Sequence, residues 1–307
     1  MEKPRIVITG GTGLLALNWA CAVRGTWDVV LGTHQHSVDL QGTTSCKLDL
    51  DDPTKLSLQI EQLSPDLIVH AAGLSNINHC EEYPELAQHV NAEIARNVAQ
   101  ASALRNIKLI HISTDHLFAG NRSFCGEDSA PQPINEYARS KHCAEEWVQQ
   151  VCSQALIVRT NFFGWGHSQR QSFSDRIIYN LRAGKSLSMF DDVFITPILL
   201  DKLALFAHEL ISINSSGIIN LVGEERISKY EFALKLVSHF DLPTELVRRS
   251  QVACTNFKAP RPNDMSLDNA RVRQILGRNM GSVDDYLAEL LSQEAQGRRL
   301  ELFNVVA

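Results

Sequence analysis

The chain has 307 residues, which is enough for one large domain or two smaller ones with a substantial core. Hydrophobic residues make up 44% and charged residues 21%, as in an ordinary globular protein, and the net charge of −6 gives no basic excess that would suggest nucleic acid as a partner. No apolar run approaches the roughly 18 residues of a membrane span, and no signal-peptide pattern precedes the first strand-like run. We therefore expect neither a nucleic-acid partner nor a membrane partner.

Seven cysteines, an odd number, are spread along the chain, and none forms a Cys-x-x-Cys pair. This spacing indicates neither a zinc ribbon nor a redox pair, and His34-x-His36 is unconvincing as a metal site, so we predict no metal. Most of the cysteines fall inside apolar patterns. They are interpreted as small core residues of a reduced, cytoplasmic protein.

Strand-like and helix-like patterns alternate through the first half of the chain. Helices are predicted between the strands, among them a long one over 84–104, and later patterns predict a strand over 217–222 that rejoins the sheet and a last helix over 283–293. The earlier strands are predicted at Arg5–Thr9, Trp27–His34, Lys47–Leu50, Asp66–Gly73, Lys108–Ser113 and Ala155–Thr160. This alternation predicts an α/β fold with a doubly wound parallel Rossmann sheet.

The looser order of the second half predicts a division into two units. The first is an NAD(P)-binding Rossmann domain over 1–162 that also takes in 190–222. The second is a smaller, discontinuous substrate-binding region over 163–189 and 223–307. We expect it to cover the carboxyl edge of the sheet, where open α/β sheets bind their ligands.

A glycine-rich turn follows the first predicted strand and opens a helical pattern. Strand, turn and helix in this order are the setting that the dinucleotide fingerprint requires. Gly10 permits the tight turn, Gly13 lets the backbone approach a pyrophosphate at the helix N-terminus, and Ala16 is small enough for close packing. With Leu14 and Leu15 at the start of the helix, these residues predict a dinucleotide site. A turn with a purely structural role is the alternative.

The end of the second strand, Thr33–His36, carries no carboxylate. An acidic residue near this point usually binds the ribose 2′-hydroxyl of NAD. Its absence favours NADP(H), with His34 or His36 near the 2′-phosphate, although solvated loop histidines are an equal alternative. Asp39, a few residues later, leaves NAD(H) open.

Three further features are candidates for cofactor binding. Asp49, followed by Leu50, could accept a hydrogen bond from an adenine amino group, and a turn carboxylate before Pro53 is the alternative. Ala71-Ala72-Gly73 ends a buried strand in small residues, which lets a cofactor lie against the backbone. Asn91, in the long helix, is either a buried polar tie or an exposed side chain.

A proton-delivery group is predicted from three residues near the middle of the chain. Tyr137 and Lys141 are four residues apart, so they lie one turn apart on the same face of a helix. An ammonium beside a phenol favours the phenolate and is expected to lower the pKa of Tyr137. Thr114 ends a buried strand and presents its hydroxyl at the carboxyl edge of the sheet.

The joint occurrence of these motifs resembles the extended short-chain dehydrogenase/reductase family. Two stretches narrow the resemblance to its dTDP-4-dehydrorhamnose reductase subfamily, which binds sugar nucleotides. Ile112–Gly120 is similar to a Ser-Thr-Asp-Tyr-Val-Phe-Asp-Gly segment, and Arg261–Asp268 is similar to an Arg-Pro-x-x-Ser-x-Leu-Asp segment. The likeness covers about residues 4–292, nearly the whole chain.

The resemblance implies NAD(P)H-dependent reduction of the C4 ketone of a nucleotide-linked 4-keto-6-deoxy sugar. It implies that Tyr137 donates the proton while the nicotinamide gives hydride to C4, that Lys141 hydrogen-bonds the nicotinamide ribose, and that Thr114 orients the carbonyl. The substrate-binding candidates are Ser75, Asp115, Phe162 and Arg261. The oligomeric state stays open, with a homodimer among the options.

Four departures from the subfamily pattern concern the sugar and leave the Tyr–Lys pair intact. They are His116 for tyrosine, Phe162 for tryptophan, Met265 for serine, and the loop 192–198 for an Asp-Gln-x-x-x-Pro-Thr segment. The reaction is therefore better defined than the particular sugar.

Two other functions fit the same motifs. One is an epimerase or dehydratase on this scaffold, which usually keeps a tightly held NAD. The other is a non-catalytic regulatory subunit that binds NADP, because the regulatory subunit of methionine adenosyltransferase resembles the same subfamily.

Overall fold

Seven parallel strands form the central sheet of the protein, whose computed structural model describes residues 3–306. The strands of the described chain are β1 (Arg5–Thr9), β2 (Asp28–Thr33), β3 (Thr43–Lys47), β4 (Leu67–His70), β5 (Lys108–Ile112), β6 (Leu156–Arg159), β7 (Phe162–Phe163), β8 (Leu187–Phe190), β9 (Phe194–Ile195), β10 (Ile198–Leu199), β11 (Gly217–Asn220), β12 (Ile227–Ser228) and β13 (Val247–Ser250). The sheet order is β3-β2-β1-β4-β5-β6-β11. Because the strand order reverses beside β1, the predicted doubly wound α/β fold is confirmed, and its ligand crevice is expected at this switch point.

Helices cover both faces of this sheet. They are α1 (Leu14–Val23), α2 (Pro53–Leu63), α3 (Ile77–Glu82), α4 (Pro84–Gln88), α5 (Ile94–Leu104), α6 (Glu136–Val151), α7 (Phe173–Arg182), α8 (Leu200–Ser212), α9 (Lys229–His239), α10 (Ala270–Leu276), α11 (Val283–Ala295) and α12 (Arg298–Phe303). A π-helical turn, His89–Glu93, joins α4 to α5. Short 3₁₀ turns lie at Thr244–Leu246 and Val252–Cys254.

Alternate side chains of β1 pack into two different cores. Ile6 and Ile8 join the larger core, which includes residues of α1 and α8, whereas Val7 joins the opposite core with residues of α2, α5 and α6. Successive side chains of a strand point to opposite faces, so a strand covered on both sides must be apolar at every position. This explains the continuous apolar run of β1.

The third strand lies earlier than its prediction at Lys47–Leu50. β3 covers Thr43–Lys47 and pairs only with β2, so it is the edge of the sheet and tolerates a polar, half-exposed sequence. Leu48, just after it, packs so closely under Gly32 that a Cβ on that glycine would lie 2.5 Å from Leu48 Cδ1. The apolar residues after β3 therefore reflect packing rather than strand pairing.

The helix predictions need two corrections. The segment predicted as one helix over 84–104 is helical throughout but contains the π-helical turn between α4 and α5. The prediction that 283–293 is the last helix is wrong, because α12 follows α11. Its six residues bury Leu302 and are held from outside by the Arg24–Glu301 ion pair, which periodicity in so short a segment cannot reveal.

The carboxyl ends of β1, β4 and β5 lie side by side. Thr9 on β1 is opposite His70 on β4, which is opposite His111 on β5. The glycine turn after β1, the small residues after β4 and Thr114 after β5 are therefore brought to one edge of the sheet. This is the crevice where the sequence predicts the site.

The second half of the chain returns once to the sheet and otherwise lies outside it. β11 pairs with β6 in parallel, as predicted. Three small pairs form outside the sheet: β7–β10 lies against α8 and α11, whereas β9–β12 and β8–β13 lie beside α9. The division into two units stays a prediction. Within residues 3–306, no helix has both the length and the apolar character needed to cross a membrane.

Candidate active site

The glycine turn after β1 has the geometry of a dinucleotide cradle. Gly10 has φ +68°, and a Cβ there would lie 2.8 Å from the backbone of Ala72, so both its conformation and its packing require glycine. Gly13 caps α1 without a side-chain hydrogen bond, and the first turn of α1 carries no acidic residue. The free N–H groups of this helix end fit a cofactor pyrophosphate.

A cleft of about 270 Å³ opens beside this turn. Its walls include these predicted site residues: Gly13, Leu14, Leu15, Ala71, Ala72, Gly73, Ser75, Asn91, Tyr137, Lys141 and Phe162. Residues from five separate parts of the chain therefore meet in one cavity. Ser113, Arg170 and Phe173 also line the cleft and were not predicted.

The sequence left open whether Asn91 is a buried polar residue that ties two segments together or an exposed side chain, and the structure shows the former. It is 1% exposed, its Oδ1 accepts the Leu74 N–H at 2.7 Å, and its Nδ2 donates to the Leu74 carbonyl at 3.1 Å and to Ser140 Oγ at 2.9 Å. It thereby joins the loop after β4 to α6. Its place in the π-helical turn suggests why the helix is distorted there, since such turns redirect side chains at functional positions.

Tyr137 and Lys141 lie one turn apart near the start of α6, which Asn135 caps by accepting the Ala138 N–H at 2.9 Å. Lys141 is buried, and its Nζ donates to the Ile112 carbonyl at 2.7 Å and lies 3.4 Å from His111 Nε2. Burial lowers the pKa of Lys141 to about 8, with Glu145 opposing the change.

The expected lowering of the Tyr137 pKa is not seen. Burial instead raises the pKa of Tyr137 to about 12, with the nearby Thr114 hydroxyl opposing the rise. The reason is that the Lys141 ammonium is directed at the end of β5 and not at the phenol. An oxygen-rich ligand bound in the cleft would contact both the Lys141 ammonium and the Tyr137 phenol, since both residues line the cleft.

The segment after β5 forms a small buried network. Thr114 Oγ1 donates to Asp115 Oδ1 at 3.2 Å, and Asp115 Oδ2 accepts from Asn161 Nδ2 at 2.5 Å. Burial raises the pKa of Asp115 to about 6. His116 packs edge-on against Tyr137, with ring centroids 5.6 Å apart, and burial lowers its pKa to about 3. The segment thus places a hydroxyl, a carboxyl and a neutral imidazole beside the phenol.

Cationic side chains from the second half of the chain face the same region. Arg170 Nη2 donates to Ser75 Oγ at 2.5 Å, and Arg261 Nη2 donates to Asn78 Oδ1 at 3.0 Å. Lys229, at the start of α9, contributes to the charge around Asp115. Arg170 and Lys229 were missed because no motif marks them: Arg170 lies in the loop between β7 and α7, and Lys229 is the first residue of α9.

Three predicted cofactor residues lie away from the cleft walls. His34 is exposed just after β2. Asp49 accepts the Asp52 N–H at 3.2 Å and pairs with Lys55 at 3.3 Å, and these contacts lower its pKa. This is the turn-carboxylate arrangement that the sequence left open. Leu50 is half-buried against the core. Their roles toward an adenosine stay predictions.

The fold and the site together define the class of protein to which the chain belongs. A doubly wound sheet, an uncapped glycine turn and a Tyr–Lys helix at one edge are the features of an NAD(P)-dependent short-chain dehydrogenase/reductase of the extended type. The chain belongs to the RmlD substrate binding domain family, whose model matches residues 4–296.

Individual relatives agree with this assignment. The probable low-salt glycan biosynthesis reductase Agl14 of Haloferax volcanii is 29% identical over 290 residues, covering 92% of this chain and 96% of its own length. The crystal structure of dTDP-4-dehydrorhamnose reductase from Bacillus anthracis in complex with NADP superposes with a TM-score of 0.84 at 25% identity, covering 95% of this chain and 100% of its own. The methionine adenosyltransferase 2 subunit beta of Xenopus laevis is 26% identical over 284 residues, covering 88% of this chain and 82% of its own length.

Proposed function

We propose that this protein is an NADP(H)-dependent reductase that converts the C4 ketone of a nucleotide-linked 4-keto-6-deoxy sugar to an alcohol. The observation that carries the proposal is the meeting of Tyr137, Lys141 and the uncapped turn at Gly13 in one cleft. Relatives named as a reductase and as dTDP-4-dehydrorhamnose reductase support the reaction and the substrate class.

The mechanism follows from the positions of these side chains. The bound cofactor would supply hydride, held by the glycine turn and by the small residues Ala71-Ala72-Gly73. Tyr137 would donate its proton to the carbonyl oxygen, which a phenol can do because burial keeps it protonated at neutral pH. Thr114, whose hydroxyl is close enough to the phenol to influence its pKa, would orient that oxygen. Lys141 would stabilise the phenolate that remains, with its free N–H also available to the cofactor ribose.

Substrate contacts are proposed for one side of the cleft. Ser75 and Phe162 line it, Asp115 lies beside Thr114, and Arg261 approaches through Asn78. The smaller unit expected from the sequence, over 163–189 and 223–307, would add the cations Arg170, Lys229 and Arg261 to this side. Cations there suit a nucleotide diphosphate.

The cofactor preference and the setting are also proposed. No carboxylate stands at the end of β2, which favours NADP(H) over NAD(H). The cysteines, at positions 21, 46, 80, 125, 143, 152 and 254, are free, which supports a reducing, cytoplasmic location. Light scattering of the purified protein tests whether it is a homodimer.

The direct test is oxidation of NADPH and NADH, followed by absorbance, against a panel of nucleotide-linked 4-keto-6-deoxy sugars. Consumption of NADPH with one sugar, and formation of one equivalent of alcohol, would establish the reaction. Turnover that converts one sugar into another without net NADPH loss would instead indicate an epimerase or dehydratase.

A non-catalytic regulatory subunit is the second candidate, favoured by the likeness to methionine adenosyltransferase 2 subunit beta. It predicts NADPH binding with no turnover across the panel, together with a stoichiometric complex with a catalytic partner. Size-exclusion chromatography with a methionine adenosyltransferase catalytic chain tests that complex. A complex and silence in the reductase assay together would replace the first proposal.

A further inference from the structure

A row of three polar side chains crosses the sheet directly beneath the cleft. Thr9, His70 and His111 occupy opposed positions on β1, β4 and β5, and each is at most 1% exposed. Thr9 Oγ1 lies 2.8 Å from His70 Nδ1, and the two imidazoles stack with centroids 5.4 Å apart at 20°. These three residues lie at or next to the carboxyl ends of their strands, and the other buried residues of these strands are apolar.

The row ends at Lys141. The ammonium has three N–H groups, and two face β5: one donates to the Ile112 carbonyl at 2.7 Å, and another is directed at His111 Nε2, 3.4 Å away. Since Lys141 also lines the cleft, one N–H is left for a ligand there. His111 and Ile112 are successive residues, so β5 fixes both acceptors.

Hydrogen-bond geometry assigns the two imidazole tautomers. Thr9 Oγ1 accepts the N–H groups of Ala71 and Ala72, so its hydroxyl donates to His70 Nδ1, and the proton of His70 is on Nε2. His111 accepts from Lys141 at Nε2, so its proton is on Nδ1. Among the described residues, neither of these N–H groups has a partner.

Unpartnered buried donors reduce stability, and apolar side chains of similar size would avoid that cost. Stability therefore does not explain an imidazole at position 111. What the imidazole adds is an uncharged acceptor for the ammonium. Burial, with Lys141 and His70 adding to it, holds the pKa of His111 well below its usual range, so the ring stays neutral.

We propose that His111 is a positioning residue for the reductase reaction: with the Ile112 carbonyl, it fixes the Lys141 ammonium in place and in its charged form, with one N–H left for a ligand in the cleft. This inference rests on the proposed function. Nothing in the motif Tyr-x-x-x-Lys or in the glycine turn requires a histidine at this place. His70 makes no hydrogen bond to Lys141, because its own hydrogen bond is to Thr9.

The charged groups around Lys141 set the sign of the expected effect. His111 and His70 face it from the sheet, Tyr137 and Glu145 from its own helix, and Arg159 is paired with Glu145. Of these, only Glu145 favours the ammonium by charge, and burial opposes it. Removing the His111 acceptor takes one hydrogen bond from the Lys141 ammonium. The pKa of Lys141 must then fall further, so the protonated form needed for catalysis is lost at a lower pH than in the parent.

The test compares variants of the full-length enzyme. His111→Leu removes the acceptor, His111→Gln returns an amide oxygen near the position of Nε2, and His70→Leu changes the neighbouring ring while leaving the Lys141 contacts intact. We would measure kcat/KM and, separately, the NADPH dissociation constant by fluorescence between about pH 6 and 10. Thermal unfolding midpoints report on the fold, and His111→Met replaces His111→Leu if the leucine variant does not fold.

The expected result is a downward shift of roughly one pH unit in the alkaline midpoint for His111→Leu, about tenfold in the protonation equilibrium. His111→Gln should restore the midpoint and His70→Leu should leave it in place. A rate loss that is equal at every pH, with the midpoint unchanged, would overturn the inference and leave His111 a packing residue. If no sugar supports turnover, the proposed function fails, while the pH midpoint of NADPH binding still decides the role of His111.

Discussion

Arg159 and Glu145 form a bidentate ion pair behind the candidate active site, with nitrogen–oxygen distances of 2.7 and 2.9 Å. Both residues are 2% exposed. Arg159 ends β6, and Glu145 lies one turn after Lys141 on α6. Ser113 Oγ, at the end of β5, donates to the same carboxylate at 2.5 Å. The pair therefore fixes α6, which carries Tyr137 and Lys141, against the two strands that border it.

Breaking this pair should destabilise the protein strongly. Glu145→Gln leaves the Arg159 charge buried without a counter-ion, which typically costs about 3–5 kcal/mol. Urea denaturation should show this loss in the free energy of unfolding. Glu209→Gln is the control, because the Arg278–Glu209 pair is about half exposed at 46% for each side chain, and such pairs contribute under about 1 kcal/mol. Equal losses in the two variants would contradict this account.

Replacing Tyr137 by phenylalanine should abolish turnover while leaving NADPH affinity nearly unchanged. Only the proton donor is lost, and removal of a general acid typically lowers the rate by about 10²–10⁴-fold. Steady-state kinetics and a fluorescence titration measure the two quantities. Tyr83→Phe, at a tyrosine that is 48% exposed, should behave as the parent. Activity of Tyr137→Phe within tenfold of the parent would rule out the assigned proton donor.

Gly13→Val should block the cofactor while the fold persists. A Cβ on Gly13 would lie 3.0 Å from the Gly10 carbonyl oxygen, and the valine branches would occupy the space beside the free N–H groups of α1. We expect the NADPH dissociation constant to rise by about 100-fold, or roughly 2.7 kcal/mol. Gly25→Ala is the matched control, since a Cβ there meets nothing within 4 Å. Unchanged NADPH affinity in Gly13→Val would refute the cofactor site.

The reaction should slow as the pH rises through about 8. Burial places the pKa of Lys141 at about 8, and the mechanism needs its charged form, so the active fraction is full below that pH and falls tenfold per pH unit above it. Tyr137, with a pKa of about 12, stays protonated over this range, so its titration adds no second inflection to the pH–rate profile. A profile of kcat/KM that stays flat from about pH 7 to 10 would show that Lys141 does not act as an ammonium.

His34→Asp should move the cofactor preference toward NADH. A carboxylate at the end of β2 would repel a 2′-phosphate and accept a hydrogen bond from a free ribose hydroxyl. We expect the NADPH-to-NADH ratio of kcat/KM to fall at least about tenfold, which is about 1.4 kcal/mol. His36→Asp distinguishes between the two histidines of this loop. A ratio that neither substitution changes would indicate that both are solvated loop residues.

Features that depend on neighbours along the chain could be predicted from the sequence. The apolar run of β1, the glycine turn and the four-residue spacing of Tyr137 and Lys141 each follow from local periodicity and local sterics. Parallel strands must align their carboxyl ends, so the meeting of these motifs at one edge was also predictable. The α/β class and the candidate cofactor and catalytic residues rest on this local information.

Tertiary structure decided what each side chain contacts. Lys141 is directed at Ile112 and His111, so it does not lower the pKa of Tyr137 as the sequence predicted, and burial raises that pKa instead. Asn91 is buried and joins the loop after β4 to α6, and Arg170 hydrogen-bonds Ser75 across the cleft although the two are 95 residues apart in the chain. Spacing along the chain carries no information on such distant partners. Burial, which sets the pKa values of the site, exists only once the chain has folded.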